Sequence, residues 1–202
     1  EKAAALEREI DATAEAVSRA GLRPVALYMG GGTPTTLSSG QLDRLCSKLE
    51  GAFDLSALRE YTVEAGRPDT ITADKLSVLH AHAVRRLSVN PQTMSDSVLQ
   101  AIGRRHTSED IEGTMSLVRA MGVFEVNMDL IAGLQTDTAE GFAASLGRVM
   151  AFEPENITVH TLAVKRGSRL HLEGAELPPA AEVEKMLSGA MSALSGAGYS
   201  PY

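Results

Sequence analysis

The 202-residue sequence holds one cysteine, Cys46. One thiol closes no disulfide within a chain and cannot by itself carry an iron–sulfur cluster. Its scarcity suits a reducing compartment, and a cytoplasmic location is expected. Long hydrophobic runs are also missing: nothing approaches the roughly 20 apolar residues that span a bilayer, so no membrane partner is expected. A dense Lys/Arg stripe is absent, and the net charge is -7 from 26 acidic and 19 basic residues. That balance argues against nucleic acid as a partner. No phosphate-binding fingerprint, no Ser/His/Asp or Cys/His set and no metal-ligand spacing is found. The chain begins at Glu1 without a signal-peptide pattern and stops at Tyr202 without a tail, so a piece of a longer protein is expected.

What is present is an ordinary globular composition, 44% hydrophobic with a mean hydropathy of -0.05, long enough to bury a core. One domain over residues 1–202 is expected. Five short β-rich segments recur, at 25–29, 61–64, 86–89, 125–131 and 157–162, with helical periodicity between them. Leu6, Ile10, Ala14 and Val17 share a helical face that Gly21 closes. Leu42, Leu45 and Leu49 follow a cap at Ser38 or Ser39. Thr72, Ser95 and Thr138 cap further helices. Thr107 with Asp110 resembles a capping box, and Pro178-Pro179 opens the last helix. Strands alternating with helices at this spacing mean βαβ units and a parallel sheet.

Side chains alternate faces along a strand, so Thr62 and Glu64 point the same way. The same holds for Ser88 and Asn90, for Asn127 and Asp129, and for Thr158 and His160. An eight-stranded closed barrel fills its interior with branched apolar residues. A doubly wound sheet buries both faces in apolar contacts. Repeated polar rows instead suit a wider, incompletely closed barrel whose lumen holds a ligand, with a Rossmann-like sheet as the alternative.

The run Gly30-Gly31-Gly32-Thr33-Pro34 ends the first of these strands. Glycines let a ligand approach the main chain, and ligands of α/β folds gather at that edge. Glu64 ends the second strand at the same edge. Asp129 sits inside an apolar strand, where an unpaired carboxylate is costly, so it needs a partner; an internal Arg or a backbone donor is one candidate. Gln92 follows Asn90-Pro91 in a proline-fixed turn. Arg104 and Arg105 follow Gly103 between two helices, where a helix-end charge explains them equally well. Cys46 reads as an apolar helix position.

In this order and spacing, Gly30–Pro34, Val63-Glu64, Asn90-Pro91-Gln92, Gly103-Arg104-Arg105-His106 and the stretch from Asn127 to Leu134 resemble the radical S-adenosylmethionine superfamily. They look most like its oxygen-independent coproporphyrinogen III oxidase group. Glu64–Asp69, Ser88–Met94, Val159–Ala163 and Tyr199–Tyr202 look closest to the HemZ branch. The resemblance implies an α/β fold, a partial (β/α) barrel of about six parallel strands. It implies a [4Fe–4S] cluster that reduces S-adenosylmethionine, splitting it to methionine and a 5′-deoxyadenosyl radical. The radical would take hydrogen from a propionate of a small-molecule porphyrinogen, which loses carbon dioxide and becomes a vinyl group on the route to haem. An unidentified electron donor completes the set. A haem chaperone on the same scaffold and a non-radical nucleotide-binding barrel enzyme are the alternatives.

Carried onto this sequence, the resemblance implies that Gly31, Gly32 and Thr33 hold the methionine amino group through backbone atoms. Arg104 pairs with the methionine carboxylate. Glu64, Gln92 and Asp129 divide the ribose and amino group between them, and the main chain of Ala163 touches adenine. Lys165, Arg166 and Arg169 are candidates for propionates, against a solvated basic loop. The group's three-cysteine cluster motif is absent from the chain, Cys46 is misplaced for it, and Gln135 stands where the group has Pro. With that motif and the first barrel strand missing, residues 1–202 alone are expected to be inactive, and the segment at 25–29 is expected to form an unprotected edge.

Overall fold

Side chains fix where most helices begin. In the computed structural model, which describes residues 2–164, 166 and 176–202, helix α1 spans Lys2–Arg19, and Ser38 caps α2 (Ser39–Ala52) with a full capping box. Its hydroxyl accepts from the Gln41 backbone N–H, and the Gln41 side chain accepts from the Ser38 N–H. Thr72 caps α3 (Ala73–Ala81). Ser95 precedes α4 (Asp96–Ala101) without a side-chain cap bond. Before α5 (Ser108–Met121), Thr107 and Asp110 exchange backbone-to-side-chain hydrogen bonds. Thr138 caps α6 (Ala139–Met150), and Pro179 precedes α7 (Ala180–Gly196).

The strands are β1 (Ala26–Met29), β2 (Glu60–Glu64), β3 (Arg86–Gln92), β4 (Glu125–Ala132) and β5 (Asn156–Thr161). They form one parallel sheet in the order β1-β2-β3-β4-β5. Two short 3₁₀ turns, Pro34–Thr36 and Pro68–Thr70, follow β1 and β2. The expected alternation is therefore found. Strand β3 runs three residues further than its apolar pattern predicts. Pro91 continues it because β2 pairs with β3 only as far as Ser88, so no β2 ladder bond requires a proline N–H. Gln92 ends the strand at φ 70°.

The chain divides into two compact units: residues 1–88 with 117–125, and residues 89–116 with 126–202. The first unit buries Leu42 and Cys46 of α2, Val63 of β2, Leu76 and Leu79 of α3, and Leu87 of β3. Helix α1 packs on α2, flanked by Arg44–Glu7 (2.8 Å) and Lys48–Asp11 (2.5 Å) ion pairs. Each is exposed and worth about 0–1 kcal/mol. Ile10 of α1 is buried as its face predicts, whereas Leu6 is exposed. Strand β1 lies at the end of the strand order, with Val25 and Tyr28 exposed beside it, which matches the expected edge.

The second unit is centred on alternate β4 residues Val126, Met128, Leu130 and Ala132, with Phe142, Leu146 and Val149 of α6 also buried. Helix α6 packs on α7, whose Met186 and Ala190 are buried. Gly133 ends β4 at φ 86°, and a Cβ there would stand 3.2 Å from Val183 of α7. Its N–H donates to the Met186 sulfur at 3.3 Å.

Candidate functional site

In the first unit the glycine run is shaped by Glu64. The Gly31 N–H donates to Glu64 Oε2 at 3.2 Å, which joins the loop after β1 to the end of β2. Gly30 has no room for a side chain: a Cβ would lie 2.4 Å from the Tyr28 ring and 2.8 Å from Glu64 Oε2. Gly31 takes φ 96°, in the left-handed region that glycine adopts freely. A Cβ at Gly31 or Gly32 would meet nothing within 4 Å, and both residues are exposed, so the main chain is open to a ligand there. Thr33 is half-buried and precedes the Pro34–Thr36 turn, which its carbonyl caps by accepting from Thr36 Oγ1 at 2.7 Å.

Lys75 of α3 supports this arrangement. Its Nζ donates to the Thr35 carbonyl at 2.6 Å and the Thr70 carbonyl at 2.9 Å, and the Thr35 and Thr70 hydroxyls meet at 2.6 Å. One side chain thus holds the turn after β1 and the turn after β2. Sequence reasoning missed Lys75, because a lysine in the first turns of a helix carries no local signal of contacts made forty residues away.

In the second unit Asp129 and Asn127 share the face that alternation predicts. Among the described residues the partner that Asp129 needs is a side-chain amide rather than an arginine or a backbone donor: Asn127 Nδ2 donates to Asp129 Oδ1 at 2.6 Å. The other oxygen, Oδ2, stands 4.0 Å from His160 Nε2. Thr158 Oγ1 donates to Asn127 Oδ1 at 2.9 Å. Gln92 is buried, and its amide donates to the Asn90 carbonyl at 3.5 Å. Arg104 follows Gly103, itself at φ 73°, and is half-buried; its backbone N–H donates to the Leu99 carbonyl at 2.9 Å and so closes α4. Ala163 is exposed just past β5. Arg166 is exposed as well, and Lys165 and Arg169 lie outside the described residues. The structure thus brings Gly31 and Glu64 into contact in one unit, and surrounds Asp129 with Asn127 and His160 in the other.

A cavity of about 1050 Å³ in the second unit lies along β5, α7 and residues 197–202. None of the eight residues expected to bind a cofactor lines it, although Thr158 does. Tyr199 fastens this corner by donating to the Pro154 carbonyl at 2.7 Å.

Cys46 does not fit an iron–sulfur centre. It is fully buried on α2, and the Tyr61 hydroxyl donates to its sulfur at 3.5 Å. Burial pushes the thiol pKa up, partly offset by that hydrogen bond. Cluster ligands are thiolates, and such an environment disfavours the thiolate. Among the described residues no group of three or more His, Cys, Asp or Glu side chains could hold a metal ion, and no helix is long and apolar enough to cross a membrane.

The sequence profile of the Radical SAM superfamily matches residues 4–149. The oxygen-independent coproporphyrinogen-III oxidase-like protein HemZ of Bacillus subtilis (strain 168) is 38% identical over 98% of this chain and 40% of its own length. The heme chaperone HemW of the same organism is 31% identical over 98% of this chain and 53% of its own. Among solved structures, coproporphyrinogen III oxidase (HemN) from Escherichia coli, described as a radical SAM enzyme, superposes with a TM-score of 0.86. It is 30% identical, over 97% of this chain and 45% of that one. The chain therefore spans about half the length of these relatives or less. Its five parallel strands and their helices are those of a truncated radical SAM (β/α) barrel. Matched by the family profile over most of its length, the chain belongs to the radical SAM superfamily.

Proposed function

We propose that these residues are part of an S-adenosylmethionine-dependent radical enzyme that oxidatively decarboxylates propionates of coproporphyrinogen III to vinyl groups. The observation that carries this reading is the likeness to HemN, at TM-score 0.86 and 30% identity over 97% of the chain. The 38% identity to HemZ supports it. When bound, S-adenosylmethionine reduced by one electron from a [4Fe–4S] cluster supplies the hydrogen-abstracting radical. The cluster's thiolates are residues other than these 202, since Cys46 does not fit, and residues 1–202 alone are inactive in this reading.

The open main chain at Gly31–Gly32 fits the amino-acid end of S-adenosylmethionine. An ammonium needs acceptors, and the Gly31 N–H is already given to Glu64. The carbonyls of Gly31 and Gly32 are what remain to hold it, and Thr33, whose own carbonyl already accepts from the Thr36 N–H and hydroxyl, closes the loop beside them. Arg104 takes the methionine carboxylate, for which a planar guanidinium is suited. Glu64, Gln92 and Asp129 take the ribose hydroxyls and share the amino group, and the Ala163 main chain meets adenine. Exposed Arg166, with Lys165 and Arg169, receives substrate propionates. The protein is cytoplasmic, takes the electron that cleaves S-adenosylmethionine from an unidentified donor, passes the electron left on the substrate after loss of carbon dioxide to an unidentified one-electron acceptor, and engages neither nucleic acid nor membrane.

The test is full-length protein reconstituted with iron and sulfide, assayed for 5′-deoxyadenosine with and without coproporphyrinogen III. Substrate-dependent 5′-deoxyadenosine with protoporphyrinogen as product is expected. A haem chaperone is the second reading, favoured by the 31% identity to HemW over 98% of the chain. Haem binding without turnover of coproporphyrinogen would select it. Membership of the radical SAM superfamily speaks against the third alternative, an unrelated nucleotide-binding barrel enzyme without a cluster.

A further inference from the structure

The parallel register of β4 and β5 sets Asn127 beside Asn156 and Asp129 beside Thr158. These side chains form a directed chain of hydrogen bonds. The Thr158 hydroxyl has one proton to give. Its nearest acceptor is Asn127 Oδ1 at 2.9 Å, ahead of Asn156 Oδ1 at 3.3 Å. The Tyr202 hydroxyl, 3.1 Å away, can donate in turn to the Thr158 oxygen.

A primary amide has one acceptor end and one donor end. With Thr158 donating to Oδ1, the amide is fixed with Nδ2 facing the carboxylate, where it donates to Asp129 Oδ1 at 2.6 Å. Flipped, the amide would set a carbonyl oxygen against a carboxylate oxygen at that distance, which is repulsive. Asn127 is 6% exposed, so water is poorly placed to repair the error. The Asp129 side chain keeps 17% of its surface, and Oδ2 stands 4.0 Å from His160 Nε2, an ion-pair distance rather than a hydrogen bond. The arrangement ties down one carboxylate oxygen and presents the other.

We infer that Asn127 and Thr158 are positioning residues that fix the carboxyl group of Asp129 for a bound S-adenosylmethionine, Thr158 acting by setting the orientation of the Asn127 amide. This rests on the reading above in which Asp129 contacts that cofactor. Neither residue touches the cofactor; both act through Asp129. Donors that point in one direction along such a chain polarise one another, so removing the Thr158 proton also weakens the Asn127–Asp129 bond beyond it.

The experiment is calorimetric titration of S-adenosylmethionine into the reconstituted full-length protein. Thr158→Val keeps the shape and removes the hydroxyl. It should weaken binding about three- to tenfold, the worth of one hydrogen bond, and Thr158→Ser should restore wild-type affinity. Asn127→Ala should weaken it at least as much. In an Asp129→Asn background, Thr158→Val should change affinity less than twofold, because the residue through which it acts is already altered. Should Thr158→Val melt at markedly lower temperature, Thr158→Ala against Thr158→Ser gives the same comparison. Weakened binding in Asp129→Asn with wild-type affinity in both Thr158→Val and Asn127→Ala overturns the positioning role alone. So does an equal loss in the valine and serine variants. Wild-type affinity in Asp129→Asn overturns the placement of Asp129 at the cofactor and the positioning role with it.

Discussion

Alanine substitution along Gly30, Gly31 and Gly32 separates three physical roles that one motif combines. At Gly30 the added Cβ falls 2.8 Å from Glu64 Oε2 and 2.4 Å from the Tyr28 ring. The Tyr28 ring, 59% exposed, must also give way. The carboxylate must retreat by about 0.6 Å or more to reach ordinary contact. Its hydrogen bond from Gly31, already 3.2 Å, then breaks. Losing an exposed, charge-assisted bond costs about 1–1.5 kcal/mol. Gly30 is outside the positive-φ residues, so the alanine regains about 0.4–1 kcal/mol by restricting the unfolded chain. The net change in stability is within about 1 kcal/mol, a shift of roughly 2–4 °C in melting temperature at this size. S-adenosylmethionine affinity, which depends on the loop and Glu64 staying together, should fall roughly tenfold, the equivalent of about 1.4 kcal/mol. Gly31→Ala meets no atom, but at φ 96° it carries about 1–2 kcal/mol of backbone strain. Gly32→Ala meets neither obstacle, so it should melt at or above wild type and lose affinity only through the ligand itself. Thermal melts and calorimetric titration of the three variants in the full-length protein decide the matter. Gly30→Ala with unchanged affinity, or Gly31→Ala more stable than Gly32→Ala, would refute the reasoning.

Three further outcomes are expected. His82 lies between two carboxylates, 2.9 Å from Glu50 Oε1 and 3.0 Å from Asp43 Oδ1. Burial lowers its pKa, but these partners outweigh that and leave it raised above 6.5. A raised folded-state pKa stabilises fully below the unfolded value and is lost as pH rises through the folded value. The melting-temperature gap between wild type and His82→Gln should therefore be full below about pH 6.5 and shrink above it; a constant gap from acid to alkaline pH would contradict this. Lys75→Met removes two bonds to turn carbonyls, and should lower stability by about 2–3 kcal/mol in denaturant unfolding; an unchanged midpoint would show that Lys75 braces nothing. Cys46, buried and with a raised pKa, should resist thiol reagents in residues 1–202 until unfolding exposes it, and immediate labelling of folded protein would count against its burial.

Much of this architecture was legible because its signals are local. Ser38, Thr72 and Thr138 cap the helices they precede, since an oxygen beside free N–H groups declares itself over three residues. The polar phase of Asn127, Asp129, Thr158 and His160 follows from strand alternation alone. Cys46 read as apolar and is buried. What stayed hidden depends on contacts distant in sequence. No pattern near Asp129 says that its partner is an asparagine two residues back, because alternation places both on one face without saying that they touch. Gln92 takes a left-handed φ that is uncommon for any residue but glycine, and nothing in Asn90-Pro91-Gln92 announces it. The fit of Glu64 to Gly30 and Gly31 required the β1–β2 register, which joins residues more than thirty positions apart.

The grip of Lys75 bears on how this protein can change over generations. Thr35 and Thr70 share a hydrogen bond and offer both their carbonyls to one amine. A substitution at any of these three positions alters the other two, so they should drift together rather than one by one. Helix α3, distant in sequence from the glycine run, thereby inherits part of its selective constraint. Among relatives, a replaced lysine at this position should be accompanied by altered turns after both strands.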